Sequence, residues 1–234
     1  MSKIAITDYI EIPSIEKEIL GDLVSTKVTN ETEVILVWHK QINKEYISKL
    51  PKLKGVQRYG VGYDNLDLDM LKNKNIIACN NPDYGVDEVS DTAIAMILNI
   101  ARGITQYNEL AKSYFDSWQK NVISTIRRNS DITVGIVGAG RIGGTVLLKC
   151  NSLKFKTVFY DKYKERGHDK LLSSIRVNSL KELLNVSDII SLHTPLTIET
   201  VGMVNLEFLN EMKKGGSLVN TARGALFSNC DLLY

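Results

Sequence analysis

The stretch that decides the fold is Ile132-Thr-Val-Gly-Ile-Val-Gly138-Ala-Gly140-Arg-Ile-Gly143-Gly144. Its first six residues have the apolar, β-branched composition of a buried strand, and apolar residues at helical spacing follow from Val146 to Cys150. Gly-x-Gly-x-x-Gly between a strand and a helix is a dinucleotide fingerprint. The first glycine permits the tight turn, the second lets the backbone approach a pyrophosphate, and the third lets the helix pack on the strand. The candidate cofactor residues are therefore Gly138, Gly140 and Gly143.

The next strand supplies a candidate ribose ligand. Thr157–Tyr160 is apolar and β-rich, and it ends in Asp161, which lies 23 residues after Gly138. An acid about 20 residues after the first glycine binds the ribose hydroxyls of the adenosine in such domains. A carboxylate there repels a 2′-phosphate, so NAD is favoured over NADP. Lys162 softens this preference, because a cation beside the acid could tolerate the phosphate.

Short β-rich runs alternate with helical patterns along the chain, which predicts an α/β fold with parallel sheets. A long amphipathic helix, Val86–Arg102, marks the junction between a domain over residues 1–85 and a domain over residues 86–234. The strands predicted outside the fingerprint are Lys3–Thr7, Val34–Trp38, Gly55–Tyr59, Ile76–Cys79, Asp188–Leu192 and Ser217–Asn220. One further helix is predicted to begin at Pro13. The other predicted helices are residues 43–50, Leu66–Lys72, Leu180–Leu184 and Leu206–Met212.

Composition excludes several classes of protein. The 234 residues carry a net charge of +2, with 44% hydrophobic and 24% charged residues, which is typical of a globular protein and not of a disordered or fibrous one. No basic patch predicts binding to nucleic acid or to an anionic membrane surface. No signal peptide or membrane span is expected, so a cytoplasmic protein is predicted. The widely spaced cysteines, Cys79, Cys150 and Cys230, predict buried free thiols, and no metal site is expected.

Five motifs, taken in order, resemble one family. They are Gly60-Val-Gly62-Tyr-Asp-Asn65, Asn81-Pro82 leading into Glu88-Val-Ser-Asp-Thr92, the glycine fingerprint, His193-Thr-Pro195-Leu-Thr, and Asn220-Thr-Ala-Arg223-Gly224. The chain is identified as a member of the D-isomer-specific 2-hydroxyacid dehydrogenases, which include the phosphoglycerate and glyoxylate/hydroxypyruvate enzymes. The resemblance implies two Rossmann-like domains with a cleft between them. A flavodoxin-like substrate domain would cover residues 1–85, and a doubly wound NAD-binding domain would cover residues 86–234.

The resemblance also implies a reaction and the residues that carry it. NADH would reduce a small 2-oxo acid to a D-2-hydroxy acid, and the protein would be a homodimer. Arg223 would be the catalytic arginine, whose planar guanidinium binds the carboxylate and polarises the carbonyl. The backbone amides of Val61 and Gly62 would hold the substrate carboxylate. The implied cofactor contacts are Thr92, Gly138, Gly140, Arg141, Ile142, Gly143, Asp161, Thr194, Pro195, Thr200, Thr221 and Ala222.

One part of the family pattern is missing. The family's proton donor is a histidine held by a glutamate, and both lie downstream of the Asn-Thr-Ala-Arg-Gly motif. The 11 residues after Arg223 contain neither residue type, so we expect a C-terminally incomplete chain without this general-acid pair. His193 is expected to be structural or close to the cofactor, and His39 to be a scaffold residue.

A second interpretation remains open at this point. The segments Tyr59–Asn65 and Ser90–Arg102 resemble the C-terminal-binding-protein corepressors, which use NAD to control assembly. The alternative function is therefore a non-catalytic NAD-binding sensor or scaffold. The identity of the 2-hydroxy acid is left open, because no cationic cluster marks a phosphate pocket.

Overall fold

The computed structural model describes residues 3–112, 123 and 126–228. The chain divides into two compact units, Met1–Gly85 and Val86–Tyr234. Each unit has its own five-stranded sheet, and every strand pairing within the two sheets is parallel. Cys230 and the helical turn suggested by Asp231–Tyr234 lie outside the described residues.

The first unit has the strand order β2-β1-β3-β4-β5. This is the flavodoxin-like order, whose reversal point lies between β1 and β3. Ile35 and Val37 of the central strand β3 are completely buried. The elements are β1 Ile4–Ile6, α1 Ser14–Leu20, β2 Val24–Ser25, β3 Val34–Val37, α2 Lys44–Ser48, β4 Gly55–Arg58, α3 Leu68–Asn73 and β5 Ile77–Cys79.

Two details of the first unit correct the sequence analysis. Strand β2 was not predicted, because a two-residue strand is too short to show a period of two. Cys79 was expected to be buried and is exposed, since it ends the edge strand β5, whose three residues are all exposed. Cys150 is buried as expected, and burial raises the pKa of its thiol to about 12.

The second unit has the strand order β10-β9-β6-β7-β8. This is the order of a doubly wound dinucleotide-binding sheet, with its reversal between β6 and β9. Together the two sheets confirm the predicted fold class. The elements are α4 Val86–Arg102, α5 Ile104–Lys112, β6 Thr133–Val137, α6 Arg141–Ser152, β7 Lys156–Tyr160, α7 His168–Leu172, β8 Ile175–Arg176, α8 Leu180–Val186, β9 Ile189–Leu192, α9 Leu206–Glu211 and β10 Ser217–Asn220.

Helix α4 belongs to the core of the second unit. Ala93 and Ile97 are completely buried in the same cluster as residues of α6. The ammonium of Lys149 on α6 donates to Ser90 Oγ and to Asp91 Oδ1, both at 2.7 Å. These contacts fix α4 alongside the helix that follows the glycine fingerprint.

The charged segment Lys162–Lys170 is exposed over most of its length, as its composition suggests. Its last residues begin the short helix α7, and Leu172 at the end of that helix is buried. In the described ranges, no helix is long and apolar enough to cross a membrane.

Candidate dinucleotide site

The site is built where the strand order of the second sheet reverses. Gly138 follows β6 and His193 follows the neighbouring strand β9, with Val137 paired to Leu192. Gly138 has φ +90°, and a Cβ there would lie 2.9 Å from the backbone oxygen of His193. Only glycine allows both this backbone conformation and this close approach. Ligands of doubly wound sheets bind in the crevice at such a reversal.

Of the other two fingerprint glycines, one is closely packed and the other has open space beside it. A Cβ on Gly143 would lie 1.9 Å from the backbone oxygen of Gly138, so α6 can pack against the loop only if residue 143 is glycine. A Cβ on Gly140 would meet nothing within 4 Å, and no side chain caps the helix that begins after it. The amino end of α6 is therefore open to an anion, as a dinucleotide pyrophosphate requires. Arg141 is the first residue of this helix, and Ile142 packs against the core.

Asp161 is held beside the glycine loop. Its Oδ2 accepts a hydrogen bond from the amide of Ala139 at 2.9 Å, and its Oδ1 accepts one from the amide of Tyr163 at 2.9 Å. An ionised carboxylate has about four acceptor sites, so two remain for ribose hydroxyls. The structure thus brings together the acid and the glycines that sequence spacing associated.

The segment after β9 contains three of the expected adenosine-side residues. Thr200 Oγ1 donates to the backbone oxygen of Pro195 at 2.6 Å and accepts from the amide of Thr197 at 2.8 Å. Thr194 Oγ1 lies 3.9 Å from the sulfur of Met203. The hydroxyl of Thr200 therefore holds this segment in a compact turn.

His193 is a partly buried imidazole next to a buried hydroxyl. Its Nε2 lies 2.9 Å from Ser191 Oγ, and Ser191 is completely buried. Burial lowers the pKa of His193 to about 4. The ring is therefore uncharged at pH 7 and is a poor source of the proton that the reduction needs.

Asn220 shapes the loop that carries Arg223, and the sequence analysis missed this role. Its Oδ1 accepts from the amide of Ala222 at 2.9 Å, and its Nδ2 donates to the backbone oxygen of Arg223 at 2.8 Å. Arg223 Nη1 donates to the backbone oxygen of Ala222 at 2.8 Å. An asparagine followed by a tight turn is the signal that could have found this, because Asn side chains bind backbone groups two or three residues later.

The hydroxyl of Thr221, directly after β10, indicates a place where a ligand could bind. Its Oγ1 is buried and has no hydrogen-bond partner in the part of the chain that the structure describes. Buried hydroxyls are normally paired, so an exception calls for an explanation such as a ligand. The unpaired hydroxyl, the open amino end of α6 and the placement of Asp161 all fit a dinucleotide.

The remaining expected contacts are Thr92, Val61 and Gly62. Thr92 is exposed on α4, and its hydroxyl donates to the backbone oxygen of Glu88 at 2.8 Å. Val61 and Gly62 belong to the first unit, where the backbone oxygen of Val61 accepts from Asn80 Nδ2 at 2.7 Å. Their roles stay predictions. Among the described residues, no group of three or more His, Cys, Asp or Glu residues could hold a metal ion.

In the first unit, an acidic side chain binds backbone amides at the point where the strand order reverses. The carboxylate of Asp8, after β1, accepts from the amides of Trp38 at 3.0 Å, His39 at 2.5 Å and Lys40 at 3.0 Å, after β3. Partial burial opposes ionisation, but hydrogen bonds from Thr7 and these amides lower the pKa of Asp8 overall. The exposed ring of His39 stacks on Trp38 with ring centroids 5.5 Å apart, and its scaffold role stays a prediction.

Comparisons with known proteins point to one family. Residues 94–234 match the family model described as "D-isomer specific 2-hydroxyacid dehydrogenase, NAD binding domain". C-terminal-binding protein 1 of Caenorhabditis elegans is 34% identical over 212 residues, which cover 88% of this chain and 29% of that protein. A glyoxylate reductase of Pyrococcus horikoshii is 31% identical over 221 residues, which cover 92% of this chain and 65% of that enzyme.

A solved structure is similar over nearly the whole chain. The D-lactate dehydrogenase of Aquifex aeolicus, complexed with NAD and lactic acid, has a TM-score of 0.84 and 31% identity. The match covers 96% of this chain and 70% of that one. The chain thus spans between about a third and two thirds of the length of the two curated relatives above.

Proposed function

Because the chain belongs to the D-isomer-specific 2-hydroxyacid dehydrogenase family, we propose that it takes part in hydride transfer between NAD(H) and a small 2-oxo or 2-hydroxy acid. The cofactor of the family domain is NAD, which supplies the redox chemistry when bound. The observation that carries the proposal is the hydrogen bond from the Ala139 amide to Asp161, which joins the ribose acid to the glycine loop.

The chain's own residues would hold the dinucleotide in a defined direction. The amides at the start of α6, at Arg141 and Ile142, bind the pyrophosphate, with Gly140 leaving the approach open. Asp161 binds the adenosine ribose. The remaining proposed contacts are Thr194, Pro195 and Thr200 on the adenosine side, Thr92 at the phosphates, and Thr221 and Ala222 at the nicotinamide end.

Arg223 would bind and polarise the 2-oxo acid. Its guanidinium can form paired hydrogen bonds to a carboxylate, and its fixed positive charge stabilises developing charge on the carbonyl oxygen. Asn220 is a positioning residue for it, since the asparagine amide fixes the backbone of residues 222 and 223. The amides of Val61 and Gly62 are the proposed second ligands of the carboxylate.

The test is binding of oxamate, a 2-oxo acid analogue that cannot be reduced, to the NADH-loaded chain. We expect Arg223→Gln to weaken oxamate binding by about 10- to 100-fold, the range for a hydrogen bond to a charged group. NADH binding should change less than about twofold. Arg166→Gln, which removes an arginine from the charged segment after β7, is the matched control. Equal oxamate affinity in the wild type and in Arg223→Gln would refute the role of Arg223.

The second candidate function is a non-catalytic NAD-binding sensor or scaffold. It is supported by the 34% identity to C-terminal-binding protein 1 of C. elegans. NADH binding with no oxamate binding to the wild-type chain would favour this reading over the first one.

We also propose that the protein is a cytoplasmic homodimer. Met96 and Ile100 lie on α4 and are 43% and 37% exposed, which leaves an apolar strip on the helix that a second copy could cover. The free thiols of Cys79 and Cys150 suit a reducing compartment. A monomeric mass in solution would contradict the dimer, and recovery of the protein outside the cytoplasmic fraction would contradict the location.

A further inference from the structure

We propose that Glu199 is a specificity residue of the dinucleotide site, which holds Lys162 away from the adenosine ribose and so keeps the site selective for NADH over NADPH. This inference rests on the proposed binding of NADH at Asp161. It removes the ambiguity that Lys162 introduces in the sequence, where a cation beside the ribose acid could accept a 2′-phosphate.

The ammonium of Lys162 contacts two neighbouring side chains. It forms an ion pair with Oε2 of Glu199, which lies in the segment that follows β9. The same oxygen accepts a hydrogen bond from the hydroxyl of Tyr163 at 3.0 Å. The ammonium also lies 4.9 Å from the centre of the Tyr163 ring. Lys162 is thus occupied by two partners, neither of which is Asp161.

These contacts shift the pKa values of both Lys162 and Glu199 in the direction that favours their charged forms. The hydrogen bond and charge of Glu199 raise the pKa of Lys162, and the hydrogen bonds from Lys162 and Tyr163 lower the pKa of Glu199. Both groups are therefore charged near neutral pH. With Lys162 neutralised by Glu199, the carboxylate of Asp161 faces a bound ribose without a compensating lysine. A 2′-phosphate, which carries close to two negative charges, is then repelled.

A second cation, Arg176, lies near Asp161, and its effect on NADPH binding must be distinguished from that of Lys162. Arg176, on the edge strand β8, donates from Nη2 to the backbone oxygen of Asp161 at 3.4 Å. Its guanidinium is directed at the main chain, not at Glu199. A gain in NADPH binding that comes from Lys162 must therefore disappear when Lys162 is removed, whereas one that comes from Arg176 must survive.

The test compares the dissociation constants of NADH and NADPH, followed by cofactor fluorescence. Glu199→Gln should strengthen NADPH binding by about three- to tenfold at low salt and leave NADH within about twofold, because exposed charge pairs contribute modestly and are screened by salt. Lys162→Gln combined with Glu199→Gln should remove the gain. Glu165→Gln, which removes a carboxylate from the same charged segment, should leave the NADH-to-NADPH ratio within about twofold of wild type.

Two results would overturn the proposal. One is an equal NADPH gain in Glu199→Gln and Glu165→Gln, which would make the effect a matter of net charge. The other is a gain that persists in the Lys162/Glu199 double variant. A wild-type chain that binds no NADH would instead refute the proposed function itself, so the two failures are distinguishable.

Discussion

Gly143→Ala is expected to abolish NADH binding and to lower the free energy of unfolding of the second unit by about 3 kcal/mol, a typical cost of forcing an atom into a packed site. The new Cβ would lie 1.9 Å from the backbone oxygen of Gly138, well inside contact distance. Either α6 or the loop must move, and both carry the proposed pyrophosphate amides. Urea unfolding and NADH fluorescence measure the two effects.

Two neighbouring glycines provide matched controls for this change. A Cβ on Gly144 would meet its nearest described atom, Leu172 Cδ2, at 3.4 Å, so Gly144→Ala should leave NADH binding intact and cost little stability. A Cβ on Gly140 would meet nothing within 4 Å of the protein, so Gly140→Ala should fold normally yet weaken NADH binding. If Gly143→Ala binds NADH as well as Gly144→Ala does, the close packing of α6 on the loop is wrong.

The second large effect is a loss of stability on acidification, caused by His193. The pKa of its partly buried imidazole is about 4 in the folded chain, against an ordinary value near 6.5. Between these values the unfolded chain binds a proton that the folded chain does not, so acid favours unfolding. Stability should therefore fall as the pH drops from about 6.5 to 4, by about 1 to 2 kcal/mol, because the partly exposed ring keeps some of its hydration.

A neutral replacement isolates this contribution. His193→Gln keeps a hydrogen-bonding group near Ser191 but cannot titrate, so its free energy of unfolding should change less between pH 7 and pH 4.5 than that of the wild type. His168→Gln, in α7, is the control and should keep the wild-type pH dependence. Identical pH profiles for His193→Gln and the wild type would contradict the lowered pKa of His193 in the folded chain.

The second unit could be predicted in detail because its signals are local. The glycines, the apolar strand before them and Asp161 lie within 30 consecutive residues. Each position is set by a requirement of the local backbone or of the bound dinucleotide. The doubly wound strand order was expected from the family resemblance, and the right-handed crossover rule limits the topologies that the strands can adopt. Short elements such as β2 and β8 were missed because two residues show no periodicity.

The site's polar contacts could not be predicted, because they join residues distant in sequence. Lys162 and Glu199 are 37 residues apart, and the pairing depends on how the segments after β7 and β9 fold. The role of Asn220 was within reach, since its partners are two and three residues away. The partial burial of His193 also depends on packing, which a lone histidine in a sequence does not reveal.

The most direct measurement is a fluorescence titration of the chain with NADH and with NADPH, for the wild type and Asp161→Ala. The account predicts that the wild type binds NADH below millimolar concentration and prefers it to NADPH. Asp161→Ala should weaken NADH binding by about 10- to 100-fold, as expected for lost hydrogen bonds to a charged group, and reduce the preference. No fluorescence change up to millimolar NADH, or equal NADH affinity in both proteins, would contradict it.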